Sequence, residues 1–276
     1  MTAGDKTAAA AGSPGVPRPL TALVADPRFG PLPALLLVLT AVTGVVDAVS
    51  ILSLGRVFVA NMTGNVVFAG FAIVGAPGFS LSASLFALAG FLIGAALGGL
   101  AISRSASDRG TLLRTGAVAE FILAAIALAV AAASGDAGTT HGTLADSAAF
   151  TPAVTDALAA VLAIALGIQN AVARKLAVPD LTTTVLTMTL TGLGSDIRAL
   201  VGGQPTARHA ARASFTRRLL AVAVMLAGGV FSAWLVLNVS VLASIILAVA
   251  LLAITAGSAL FATRRPAGWR SPQPKS

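Results

Sequence analysis

The sequence predicts an all-α polytopic membrane protein, and three observations carry that prediction. Of the 276 residues, 57% are hydrophobic and only 10% are charged, against about 25% charged residues in an ordinary soluble domain. The mean hydropathy is +0.92. The apolar residues form long runs, and so few polar side chains could not cover the surface of a soluble fold. A soluble enzyme, a disordered chain and a secreted disulfide-rich domain are therefore excluded.

Eight apolar segments lie between two polar tails, and together they form one transmembrane domain over 31–263. Residues 1–30 are rich in Ala, Gly, Pro and Thr, which predicts a disordered cytoplasmic tail, and residues 264–276 predict a basic tail of the same kind. Each apolar segment approaches the roughly 20 residues that cross about 30 Å of hydrocarbon. The segments are 33–54, 57–75, 81–103, 111–133, 152–173, 181–201, 217–237 and 240–262.

The positions of Lys and Arg favour six membrane spans over eight. If segments 57–75 and 181–201 dip into the membrane and return, Arg56 alone of the 18 basic residues lies outside the cell. Basic residues near span ends concentrate on the cytoplasmic side, so we predict six transmembrane helices plus two broken or re-entrant segments, with both termini cytoplasmic. Eight full crossings would instead place six basic residues outside, namely Arg56, Arg104, Arg109, Arg114, Arg174 and Lys175.

The two halves of the domain resemble each other weakly. Asp47 in the first half corresponds to Asn170 in the second, and a Thr follows each of them 16 or 17 positions later, at Thr63 and Thr187. In the six-span topology the halves begin on opposite sides of the membrane, which predicts an inverted 3+3 repeat of the kind known in secondary transporters. Chance similarity between Ala-, Val- and Leu-rich segments is the alternative. The matched blocks are 44–49 and 167–172, in repeats of about 33–133 and 152–262.

Two acidic residues lie inside predicted spans. Asp47 is about 14 residues from the start of the first span and Glu120 about ten from the start of the fourth. An Asp at the centre of a membrane helix costs roughly 2.5–3.5 kcal/mol, which several apolar side chains must offset. No Lys or Arg lies near either acid within a span, so each needs a cavity or a neutral partner, and a carboxyl group poised in this way can carry a proton. A protonated acid that only hydrogen-bonds a neighbouring helix is the alternative.

Two further segments are too polar for helices that face lipid. Residues 61–65 read Asn-Met-Thr-Gly-Asn, and Asn and Gly both favour a break in a helix. Non-helical backbone is tolerated at membrane depth only where it is buried in protein or lines water, so we expect a broken-helix tip that faces a cavity. The second segment is rich in threonine, with Thr184, Thr187 and Thr191 on one helical face. An ordinary helix with polar packing residues is the alternative.

Two other patterns concern packing and lipid. Gly90, Gly94 and Gly98 form a ridge at a spacing of four, which permits close contact between helices. The basic cluster that leads into the seventh segment predicts a cytoplasmic loop that contacts anionic lipid. That cluster comprises Arg208, Arg212, Arg217 and Arg218.

The polar residues within the membrane region are the candidates for a substrate-binding site. No catalytic motif is present, so we expect no enzyme. The chain has no Cys and two His, so we expect no cofactor and no metal site. The expected partners are the lipid bilayer and an unknown small solute or ion, and no nucleic acid, because the positive-inside rule accounts for the net charge of +8. The candidate residues are Asp47, Asn61, Thr63, Gly64, Asn65, Glu120, Gln169, Asn170, Thr184 and Thr187.

These blocks resemble those of the YoaK-like family, a bacterial group of multi-pass membrane proteins of uncharacterised function. The resemblance covers about residues 35–262, and the Asn-Met-Thr-Gly-Asn block at 61–65 is its most specific part. The chain departs from the family at Thr187-Met188, where the family usually has Thr-Gly. The resemblance implies a bacterial inner-membrane location. It implies no substrate and no functional residue.

The sequence therefore favours a small secondary transporter with proton or ion coupling. Asp47 would be the coupling group, and the polar segments would line the two sides of the site. A channel whose filter uses the same polar elements is one alternative. A membrane partner or scaffold protein without transport activity is the other.

Overall fold

The computed structural model describes residues 28–105, 108–134, 149–181, 183, 186–202, 204–264 and 267–271. Within these ranges the chain forms eight α-helices and one short 3-10 turn. The helices are α1 (Leu32–Ser53), α2 (Met62–Ile73), α3 (Leu81–Ser105), α4 (Arg109–Ala133), α5 (Pro152–Leu176), α6 (Leu186–Gly202), α7 (Pro205–Asn238) and α8 (Val241–Ala262), and the 3-10 turn is Gly268–Arg270.

Six of the helices are long and apolar enough to cross a membrane. They are α1, α3, α4, α5, α8 and the part of α7 over Ala211–Asn238. The other two are shorter: α2 has 12 residues and α6 has 17, so at 1.5 Å per residue they extend about 18 and 26 Å, less than about 30 Å of hydrocarbon. The chain is thus a polytopic all-α membrane protein with six long apolar helices, as predicted. That segments 57–75 and 181–201 dip into the membrane and return stays a prediction.

The helix ends follow local chemistry. Asp108 caps α4, because its carboxylate accepts a hydrogen bond from the Thr111 backbone N–H over 3.0 Å, and Ser240 caps α8 in the same way. The start of α7 differs from the prediction. The seventh segment was expected to begin at 217, but α7 begins at Pro205, and the four arginines predicted for a loop lie in its first turns. Arginine is a good helix former, and Pro at the first helical position favours this start.

Glycines bring two pairs of helices into very close contact. A methyl group at Gly94 of α3 would lie 2.1 Å from the Ile164 carbonyl oxygen of α5, and one at Gly44 of α1 would lie 2.2 Å from the Met225 carbonyl oxygen of α7. Gly90 also packs against the α5 backbone. The predicted role of the glycine ridge in helix packing is therefore confirmed.

The helix contacts of the two halves correspond. The close pair α1–α7 has its counterpart in α5–α3, and α2–α3 has its counterpart in α6–α7. The pairs α4–α5 and α3–α4 likewise match α8–α1 and α7–α8. The most apolar stretches of α1 and α5 are 67% and 61% buried, against 22% and 17% for α3 and α7. The two central helices are therefore α1 and α5, and these carry Asp47 and Asn170.

The described part of the C-terminal tail is folded, whereas the sequence predicted disorder. Arg270 in the 3-10 turn forms an ion pair with Asp108 and donates a hydrogen bond to the Thr263 carbonyl oxygen. The Arg270 guanidinium lowers the pKa of Asp108 to about 2. The Trp269 ring lies against Gly30. The tail therefore joins the start of α1 to the start of α4; residues 1–27 of the predicted N-terminal tail lie outside the described residues.

Candidate functional site

A cavity of about 820 Å³ lies where the two short helices meet the long ones. Its walls come from α1, α2, α3, α5, α6, α7 and the non-helical segment that precedes α2. The cavity brings together six of the ten candidate residues. These six are Asp47, Asn61, Thr63, Gly64, Asn170 and Thr187, and the other lining residues are Phe58, Ala60, Met62, Val67, Phe68, Phe91, Leu186 and Met225.

Asp47 brings an ionisable side chain to this cavity. It lies two thirds of the way along α1, and the backbone N–H groups of Ala60 and Val59 interact with its carboxyl group. One carboxyl oxygen, Oδ1, is buried without a hydrogen-bond partner in the described part of the chain. A buried acceptor without a partner is costly, so this oxygen is available to a ligand or a proton.

The helix break lies before residues 61–65 and not within them, which corrects the prediction. Residues 54–61 are non-helical, with positive φ angles of 74° at Gly55 and 55° at Arg56. Asn61 precedes the first turn of α2, and Gly64 lies within the helix. Gly64 is needed for space, because a methyl group there would lie 2.5 Å from the Phe58 ring.

Asn65 holds this break in place and does not line the cavity. Its side-chain oxygen accepts a hydrogen bond of 2.8 Å from the Phe58 N–H, and its amide nitrogen donates to the Phe58 carbonyl oxygen. The side chain is fully buried. Asn65 therefore supplies hydrogen-bond partners to the N–H and the carbonyl group of Phe58, which lies outside any helix. Asn65 was predicted to bind substrate, and its role here is structural.

The second half contributes Asn170 from α5 and Thr187 from the first turn of α6. Thr187 also accepts a hydrogen bond at its backbone oxygen from the Thr191 hydroxyl over 3.0 Å. Thr183 is buried before α6, with no partner for its hydroxyl among the described residues. Thr184, which was also predicted for the site, lies outside the described residues.

The two remaining candidates, Gln169 and Glu120, are buried away from the cavity lining. The Gln169 amide donates to the Thr43 hydroxyl over 3.0 Å and thus joins α5 to α1. Glu120 on α4 is only 1% exposed, and its Oε1 has no partner in the described ranges. Glu120 does not line the cavity that contains Asp47, and the hydrogen bond to a neighbouring helix that the alternative interpretation requires is not seen at its Oε1 among the described residues.

The sequence reasoning missed the aromatic and thioether wall of the cavity. Phe58 stacks on Phe68 at a centroid distance of 5.5 Å, and Phe68 packs on Phe79 at 5.1 Å. Phe91 and Met225 line the cavity from α3 and α7. In a chain with 57% hydrophobic residues, no sequence signal distinguishes these side chains from those that face lipid.

Ion pairs hold α6 against α7 outside the cavity. Arg218 on α7 bridges Asp180 and Asp196, with both N–O distances at 2.7 Å. Asp180 also pairs with Arg217 at 3.1 Å and accepts a hydrogen bond from Ser214. Two of the four arginines predicted to contact lipid are thus engaged within the protein.

Comparison with known proteins gives a family. A family model described as "Protein of unknown function (DUF1275)" matches residues 35–258. The chain is similar to the UPF0700 transmembrane protein YoaK of Bacillus subtilis (strain 168), with 32% identity over 164 residues. That match spans 59% of this chain and 64% of the relative, just under two thirds of the relative's length. No solved structure matches the chain significantly. The YoaK-like resemblance is confirmed, and the chain belongs to the DUF1275 family of unknown function.

Proposed function

We propose that the protein is a small secondary transporter in a bacterial inner membrane. One observation carries the proposal: the non-helical segment before α2 and the start of α6 meet Asp47 of α1 and Asn170 of α5 around one cavity of about 820 Å³. Secondary transporters place their binding sites at interrupted helices between two structural halves. The protein acts by binding and release of a solute and not by chemical conversion.

An inverted repeat of α1–α4 and α5–α8 gives the transporter its two halves. The correspondence of helix contacts between the halves supports this arrangement. The two tight crossings support it as well, because Gly44 and Gly167 occupy matching places in the repeats and each packs on the backbone of the other half. Rocking of the halves about these crossings would expose the cavity to one side of the membrane at a time.

Asp47 binds the coupling proton or ion in this proposal. Neutral side chains from both halves, at Asn61, Thr63, Asn170 and Thr187, supply hydrogen-bond donors and acceptors to the solute. Gly64 has no side chain and so lets the α2 backbone approach the solute. Binding of a proton or an ion to the unpartnered Oδ1 of Asp47 would shift the equilibrium between the two states of the protein, in which the cavity opens to opposite sides of the membrane.

Single cysteines provide the test, because the natural chain has none. Thr63→Cys and Thr187→Cys each place a thiol in the cavity. We expect a membrane-impermeant maleimide to label each thiol faster from one side of the membrane than from the other. The accessible side should change when Asp47 is replaced by Asn, since that change removes the ionisable group. Labelling rates from the two sides that Asp47→Asn leaves unchanged would indicate a channel, and labelling from neither side would contradict transport.

Orientation is tested with the same reagent. Both termini are cytoplasmic in this proposal, because that topology leaves only Arg56 outside. Ser134→Cys, just after α4, should then react with external maleimide in intact cells. Thr263→Cys, just after α8, should react only after the cells are opened. The reverse pattern would overturn the proposed topology.

A further inference from the structure

The charges around the cavity favour a cationic ligand. Asp47 is the only ionisable side chain among the described residues that line it, and the lining from α2, α3, α5, α6 and α7 is neutral. Arg174 does not line it, but lines a smaller cavity of about 130 Å³ that shares Asn170 and Phe91 with the main one. An anion in the main cavity would therefore meet a carboxylate and no basic group, whereas a cation would gain an opposite charge in a medium of low dielectric constant.

The apolar lining favours an organic cation over a metal ion. Mg²⁺ and Ca²⁺ require several oxygen ligands, and the described residues contain no group of three or more acidic, His or Cys side chains that could hold a metal. Three aromatic rings line the cavity, at Phe58, Phe68 and Phe91. The faces of such rings attract organic cations, and the polarizable thioethers of Met62 and Met225 adapt to ligands of different shape.

A second cavity of about 590 Å³ adjoins the first and shares Asp47, Phe58, Leu186 and Met225 with it. Apart from Asp47, its lining is apolar and comes mainly from α1 and α7. The carboxyl group thus lies between a partly polar cavity and a hydrocarbon-like one. The volume of the first, about 820 Å³, is in the range of roughly 300–1,000 Å³ that drug-sized ligands occupy.

We propose that the cavity binds lipophilic organic cations, such as quaternary ammonium or phosphonium compounds, in exchange for a proton on Asp47. This inference rests on the proposed transport function and names its substrate class. The cation binds when the Asp47 carboxyl group releases its proton, and a returning proton neutralises the carboxylate and lets the cation leave. No covalent bond to the ligand forms or breaks. The apolar cavity beside α1 and α7 admits the ligand from the bilayer.

The test measures binding of tetraphenylphosphonium to the full-length protein in lipid nanodiscs. We expect saturable binding at pH 8. Because one proton competes with one cation for Asp47, the affinity should fall by up to about tenfold for each unit by which the pH is lowered. Asp47→Asn should lower the affinity at least tenfold and remove the pH dependence. Asp156→Asn, the same chemical change at the start of α5, should change neither, because Asp156 does not line the cavity. Phe91→Leu should weaken binding several-fold, because it removes an aromatic ring and leaves the cavity lining apolar.

Tetraphenylborate provides the control for shape. It has the same four rings and the opposite charge, so we expect it not to compete with tetraphenylphosphonium. Equal affinity for the two ions, or binding that is unaffected by Asp47→Asn, would overturn the proposed cation site. If tetraphenylphosphonium does not bind while cavity cysteines still alternate in their accessibility, the substrate class is wrong and transport stands. Asp47-dependent binding with accessibility from neither side would retain the cation site and refute transport.

Discussion

Replacement of Gly94 by Ala tests the tight crossing of α3 and α5. The new methyl carbon would lie 2.1 Å from the Ile164 carbonyl oxygen, whereas ordinary contacts begin near 3.4 Å. The helices must therefore separate by about 1.3 Å, the difference between these distances. Both atoms are fixed to helical backbone, so no side-chain rotation relieves the overlap.

The expected loss of stability follows from two opposing effects. Overpacking costs about 1–3 kcal/mol, and a clash with backbone lies at the upper end of that range. Ala favours a helix over Gly by about 0.5–1 kcal/mol. We therefore expect Gly94→Ala to lower the free energy of unfolding by about 2 kcal/mol. Gly99→Ala is the matched control on the same helix, because nothing lies within 4 Å of its added methyl group.

Unfolding in mixed micelles of mild detergent and sodium dodecyl sulfate, followed by tryptophan fluorescence, measures both variants. Gly99→Ala should be as stable as the wild type or more stable by up to about 1 kcal/mol. The two variants should thus differ by about 2–3 kcal/mol. Equal stabilities would refute the close backbone contact between α3 and α5.

Three further variants test other contacts. Asn65→Ala should lower the stability by about 2 kcal/mol, because two backbone groups lose their partners; a thermal melt measures this, and an unchanged melt would contradict the role of Asn65. Arg218→Gln should speed hydrogen exchange in α6 and leave α8 unchanged, since Arg218 tethers α6 to α7. Arg270→Ala should return the pKa of Asp108 from about 2 towards 3.8 in a carboxyl NMR titration. The stabilisation by that ion pair is complete above about pH 4 in the wild type, disappears as the pH falls to about 2, and is absent from the variant at any pH.

Hydropathy predicted the spans well because the bilayer imposes a length on every crossing helix. The predicted segment 33–54 differs by one residue at each end from Leu32–Ser53, and the predicted 240–262 differs from Val241–Ala262 by one residue at its start only. Asp47 was found because a carboxyl group in hydrocarbon is so costly that it needs a protein environment. The same argument did not show that Asp47 lines the cavity and Glu120 does not. The free-energy cost of a carboxyl group in hydrocarbon does not reveal which side of a helix faces a cavity.

The parts that the sequence could not reveal depend on contacts between distant segments. The polar side chain of Asn65 indicated a binding residue. Its role is instead set by Phe58, seven positions earlier, because the Phe58 backbone lies outside any helix and bonds to the Asn65 side chain. The four arginines of the basic cluster lie in a helix that charge alone assigned to a loop, and two of them, Arg217 and Arg218, form ion pairs with aspartates outside that helix. Phe91 and Met225 face the cavity because of the α3–α5 and α1–α7 crossings, which no local pattern encodes.

The exchange of partners between the halves has a consequence for how the protein is made. Because α1 packs on α7 and α3 packs on α5, neither glycine crossing can form until the ribosome has delivered helices from both halves. The first helix is therefore made long before its partner α7, which comes near the end of synthesis. If the chain were cut between α4 and α5, each fragment would contain one helix of each glycine crossing. The two fragments would therefore have to be produced together for either crossing to form.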